Sequence, residues 1–116
     1  MENVSLSWEL YESCDIYVET DDRCALSGLL LELTESKTAR EGSLIIGRVA
    51  VSVAHNDYES GGVAGFLGWG TVIECAAVPG ASYEEVAGSV RRLLGFLEKH
   101  RLQAVPVCQF EEDLTM

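Results

Sequence analysis

The chain has 116 residues, 47% of them hydrophobic and 23% charged, and a formal net charge of −11. A chain of that length is expected to form one domain that buries roughly two thirds of the surface its unfolded form exposes, so it needs no covalent staple to fold. The charge argues against nucleic acid and anionic membranes as partners, because both are held by Lys and Arg, and instead favours a basic protein.

Residues 1–14 carry a short alternation at Leu6, Trp8 and Leu10, which is compatible with an added N-terminal strand. Residues 15–20 (DIYVET) alternate more clearly. Ile16 and Val18 point one way and Tyr17 and Glu19 the other, as in a half-buried strand. Thr20, Asp21 and Asp22 then supply capping oxygens and negative charge for a helix whose stripe is Leu26, Leu29, Leu30 and Leu33. Lys37 and Arg40 fall near its expected end, where cations suit the helix dipole, and Gly42 breaks the pattern.

Residues 43–54 are rich in β-branched types and predict one long second strand, with Ile45, Val49, Val51 and Val53 on one face and Arg48, Ala50 and Ser52 on the other. A polar turn over 55–62 (HNDYESGG) leads to a third apolar stretch over 65–78, in which Gly68 and Gly70 bracket Trp69. Pro79 and Gly80 end it. The second helix is signalled by a capping box at Ser82 and Glu85 and by the stripe Val86, Val90, Leu93, Leu94 and Leu97. A last strand over 103–110 contains Pro106, which removes a ladder donor and so suits a sheet edge.

Strand, helix, strand, strand, helix, strand is the order of an α+β, ferredoxin-like split βαβ domain. The expected architecture has two helices on one face of a four-stranded antiparallel sheet. That domain spans 15–110, with 1–14 as an N-terminal extension and 111–116 as an acidic C-terminal tail.

Catalytic templates fail on physical grounds. His55 and Asp57 lack further metal ligands at suitable spacing, and the Asp21–Asp22 and Glu84–Glu85 pairs sit at predicted helix starts, where capping explains them. Gly61, Gly62 and Gly65 precede a strand rather than the helix a phosphate cradle needs. We therefore expect no enzyme activity, catalytic residue, metal or cofactor. Cys24, Cys75 and Cys108 are expected to be reduced and mostly buried, as small core hydrophobes in a reducing cytoplasm. No apolar run reaches membrane-spanning length.

The sheet face without helices is the expected binding surface, carrying Tyr17, Glu19, Arg48, Ser52, Val72 and Glu74. Beside it, Tyr58 between Asp57 and Glu59 offers an aromatic flanked by acids, and Trp69 is either a second anchor or core. The closing segments, 93–97 (LLGFL) and 105–114 (VPVCQFEEDL), resemble the C-terminal part of cytoplasmic immunity proteins of bacterial polymorphic toxin systems. The resemblance covers about a quarter of the chain and carries no functional residue with it. It implies an antitoxin that binds and blocks a cognate toxin domain; the acidic charge adds that this toxin is basic, and the expected mode is to cover its active site or substrate groove. Two other readings stay open: a small-molecule-sensing regulatory module of the same fold, dimerising through sheet edges or faces, and an enzyme active only as an oligomer.

Overall fold

The computed structural model describes residues 8–34, 36–37, 43–56, 65–110 and 114. It is an α+β domain with the elements β1 (Ser13–Val18), α1 (Arg23–Leu30), β2 (Ser36–Lys37), β3 (Leu44–Ile46), β4 (Val49–His55), β5 (Thr71–Ala77), α2 (Tyr83–Lys99) and β6 (Ala104–Val107). One open sheet runs in the order β2-β3-β4-β5-β1-β6, and every neighbouring pair is antiparallel.

Alternation along the strands decides the layering. Ile16 and Val18 of β1, Val49 and Val51 of β4 and Ile73 of β5 are buried together with Leu26 and Leu30 of α1 and Val86, Val90, Leu93 and Leu97 of α2. Both helices thus pack on one sheet face, and one cluster forms the core. Leu33 and Leu94, expected in the same stripes, are half-buried at its margin.

Helix α1 is shorter than its leucine spacing predicts. Asp22 caps it, with Oδ1 accepting from the Ala25 N–H at 2.9 Å. Beyond Leu30 the backbone switches to tighter bonds, Leu33 N–H to Leu30 O at 3.0 Å and Thr34 N–H to Leu31 O at 3.2 Å. The Thr34 hydroxyl also donates to Leu30 O at 2.8 Å, occupying a carbonyl that a longer helix would use. Lys37 is consequently in β2, opposite Leu44, rather than near a helix end. Arg40 and Gly42 lie outside the described residues.

The expected long second strand is a hairpin, and its turn places Ile45 opposite Ala50 on the helix-free face while Ile46 joins Val49 and Val51 in the core. Ile46 pairs with Val49 across the two-residue turn Gly47-Arg48, and Gly47 has φ +62°, the left-handed first position of a type II′ turn. A Cβ on Gly47 would collide with Ser89 Oγ, so this glycine is required both by its conformation and by the approach of α2. Buried Ser89 uses the contact. Its hydroxyl accepts from the Arg48 N–H at 2.8 Å and donates to Glu85 O at 2.7 Å, fastening the turn to the helix. This hairpin and β2 raise the sheet from the expected four strands to six.

The third strand starts later than its apolar stretch. Gly65–Gly68 is a 3-10 turn, Trp69 and Gly70 form a bend, and β5 begins at Thr71. Buried Asn56 holds the bend, donating Nδ2 to Trp69 O at 2.6 Å and its backbone N–H to Gly70 O at 3.0 Å. Thr71, fully buried, donates its hydroxyl to Thr20 O at 2.7 Å.

Helix α2 has the expected capping box, with Glu85 N–H donating to Ser82 Oγ at 3.1 Å and Ser82 N–H donating to Glu85 Oε1 at 2.9 Å. The Ser82 bond holds the Glu85 carboxyl below its ordinary range. The C-terminus is a Schellman turn: Leu102 N–H reaches Leu97 O and Arg101 N–H reaches Glu98 O, both at 2.9 Å. Its left-handed position is filled by Arg101, at φ 64°, where glycine is the usual occupant. Arg101→Gly is therefore expected to raise the unfolding free energy by about 0.5–1 kcal/mol, the relief of a left-handed side chain less the extra freedom of an unfolded glycine. Urea melts of the two proteins measure it.

The N-terminal segment forms no separate strand among the described residues. Trp8–Leu10 is one 3-10 turn, and Ser13 and Cys14 already belong to β1. Edge-to-face contacts link Trp8 to Tyr11, Tyr11 to Tyr83 and Tyr83 to Phe110, with centroids 5.3, 5.8 and 5.8 Å apart. Segments from both ends of the chain thereby dock on the start of α2. Leu114, inside the expected tail, is buried against the core.

Candidate protein-binding face

On the sheet face opposite the helices, pairing sets residues from β4, β5 and β1 in three rows. Ala50, Ala76 and Ser13 form the first, Ser52, Glu74 and Asp15 the second, and Ala54, Val72 and Tyr17 the third. The small side chains of the first row leave a trough of about 550 Å³, bordered by Asp15, Glu74, Ser52 and Ser43. The Ser43 and Ser52 hydroxyls meet at 3.2 Å on its far side.

Parity sets the two acidic residues directly opposite each other at a closely spaced position. The Ala77 N–H bonds Glu12 O at 2.9 Å, making Glu12 and Ala77 a hydrogen-bonded pair, so alternation makes Asp15 and Glu74 a non-hydrogen-bonded one. Side chains approach most closely in such pairs, and like charges directly opposite each other are destabilising. Burial pushes the Asp15 carboxyl above its usual range, although both residues are exposed overall. Two opposed carboxylates beside a floor of small residues suit a cationic side chain, whose arrival would relieve the repulsion.

Of the residues singled out from the sequence, Tyr17 and Glu74 lie on this face, Tyr17 half-buried and Glu74 exposed. Glu19 is exposed just past β1, its N–H bonded to Gln103 O at 3.0 Å. Val72 is on the face but only 8% exposed, so it is floor rather than contact. Arg48 is not on the face. It sits in the β3–β4 turn with Nε 3.6 Å from Glu85 Oε1, at the start of α2. Trp69 is also elsewhere, lining a second cleft of about 750 Å³ with Arg91, Leu94, Arg101 and Pro106 between α2 and β6. Asp57, Tyr58 and Glu59 lie outside the described residues. Asp15 was missed by the sequence reading, although its spacing of two from Tyr17 places it on the same face.

The cysteines divide differently from expectation. Cys14 and Cys75 are buried, Cys108 is half-buried, and Cys24 is exposed on the first turn of α1. It precedes the leucine stripe by two positions, so the helical period turns it away from the core. Among the described residues no group of His, Cys, Asp and Glu is placed to hold a metal ion, and no helix is long and apolar enough to cross a membrane.

Comparison with family profiles, with curated proteins and with solved structures finds no match to this chain.

Proposed function

We propose that this protein is an acidic binding domain that receives a basic protein on its helix-free sheet face, and that it acts as an immunity protein against a basic toxin domain. The observation that carries the reading is the Asp15–Glu74 pair beside the small-residue trough, in a chain of net charge −11. Opposed carboxylates cost stability, and a partner's Lys or Arg converts that cost into attraction. A toxin whose substrate is anionic would then find these carboxylates where its substrate lies. For the fold we favour a ferredoxin-like domain enlarged by a hairpin. Its support is that β4, β5, β1 and β6 stand in adjacent antiparallel order, with β5 between β4 and β1.

Binding kinetics against a candidate basic toxin domain test the proposal. Asp15→Lys with Glu74→Lys should slow association about tenfold or more at low salt and flatten its salt dependence. Tyr17→Ala should chiefly speed dissociation. Because Asp15 takes up a proton above the usual carboxylate range, association should weaken early as pH falls. Binding indifferent to salt and to all three substitutions would remove the face from consideration.

A further inference from the structure

Three cysteines line up on the core face of the sheet, Cys75 in β5, Cys14 in β1 and Cys108 one residue past the end of β6. Cys14 is opposite Cys75 in the β1–β5 pairing, and one step beyond the β1–β6 pairing of Asp15 with Val107 it is opposite Cys108. The two relationships differ in kind. Glu12 and Ala77 exchange a ladder bond, so two residues along, Cys14 and Cys75 form a hydrogen-bonded pair whose side chains stand farther apart. On the other side the Glu19 N–H bonds Gln103 O, so the hydrogen-bonded pairs are Glu19 with Gln103, Tyr17 with Val105 and Asp15 with Val107. Cys14 and Cys108 thus fall at a non-hydrogen-bonded position, where side chains approach most closely and the Cα separation suits a disulfide.

We propose that Cys14 and Cys108 form an oxidisable dithiol, a modification site whose co-reactant is a small-molecule disulfide such as oxidised glutathione. Access sets the order of steps, because Cys108 is half-buried and Cys14 is only 2% exposed. The Cys14 thiol is held protonated by its hydrogen bond with Cys108, then by burial and the neighbouring Cys108, Cys75 and Asp15, which keeps it from attacking first. The Cys108 sulfur, as thiolate, attacks one sulfur of the glutathione disulfide, breaks its S–S bond and expels one glutathione thiolate. The Cys14 sulfur then attacks the Cys108 sulfur, gives up its proton and expels the second glutathione. Two protein thiols are oxidised to one disulfide and one glutathione disulfide is reduced to two thiols, with the protons passing to the departing glutathiones.

The bond would tie the end of β6, and the buried Phe110 that follows it, covalently to β1. Cys75 takes no part, and neither does exposed Cys24.

The test uses the folded Cys24→Ser protein, free of the one exposed thiol, incubated with oxidised glutathione and mapped by mass spectrometry without reduction. The expected product is a monomer lighter by two hydrogen atoms, containing a Cys14–Cys108 linked peptide, with denatured-state thiols falling from three to one. Its thermal midpoint should rise and return on reduction. Cys108→Ser in the same background should lose the linkage and the midpoint shift. A Cys14–Cys75 link, a glutathione adduct that persists on Cys108, or retention of all three thiols would each overturn the proposal, and the linkage map of the parent protein decides it even if the second variant folds poorly.

Discussion

Replacing Gly47 by alanine should lower the unfolding free energy by about 2–4 kcal/mol, from a left-handed non-glycine residue and a disturbed buried hydrogen bond. The new Cβ would press on Ser89, and Ser89 cannot retreat without releasing the Arg48 N–H or the Glu85 carbonyl that its hydroxyl bridges. Gly28→Ala in α1 is the contrasting case, since nothing lies within 4 Å of its added Cβ and the helix gains a better former. It should stabilise by about 0.5–1 kcal/mol. Equal urea midpoints for the two variants would mean that the β3–β4 turn is not seated on α2 as described.

Leu97→Ala should cost about 2–5 kcal/mol, a large share of the 5–15 kcal/mol typical of a domain. Leu97 is fully buried, sits on the core face of α2 and supplies the carbonyl that closes its C-terminal turn. Truncation leaves a cavity where α2 meets the sheet, and the turn loses the apolar contact that accompanies its hydrogen bonds. A thermal midpoint lower by on the order of 10 °C or more is the readout. Leu31, half exposed at the end of α1, provides the comparison, and its replacement should stay within about 0.5 kcal/mol.

What the sequence made legible is what periodicity and local chemistry encode. Ile16 with Val18, the stripe Val86, Val90, Leu93 and Leu97 and the Ser82–Glu85 box each follow from spacings of two, three or four residues, and the structure places them as read, with Leu94 at the margin. The Gly47-Arg48 turn was not read, because apolar residues continue on both sides of it and its reason is a contact with Ser89, some forty positions away. Helix α1 was read too long for a related cause. Leu33 keeps the helical period, but the Thr34 hydroxyl claims the carbonyl that would extend the helix.

The candidate face divides along the same line. Alternation alone put Tyr17 and Glu74 on one side of the sheet, whereas the opposition of Asp15 and Glu74 depends on strand register, which no local pattern states. Trp69 was assigned to β5 from its apolar neighbours, but Asn56 binds its carbonyl and makes the segment a bend, directing it to the α2–β6 cleft. The row of thiols on β5, β1 and the residue after β6 is invisible in one dimension, with its members at positions 14, 75 and 108.

Pro106 stands at a non-hydrogen-bonded position opposite Ile16, so the N–H it lacks is one that would have pointed outward, away from β1. The outer row of β6 therefore has a gap at its middle, and at the opposite flank β2 is only two residues long. An incoming strand finds neither a continuous run of donors nor a long flat template on the described edges. A sheet whose inner strands are dense in valine and isoleucine thereby offers little on its described edges for cross-β stacking to build on.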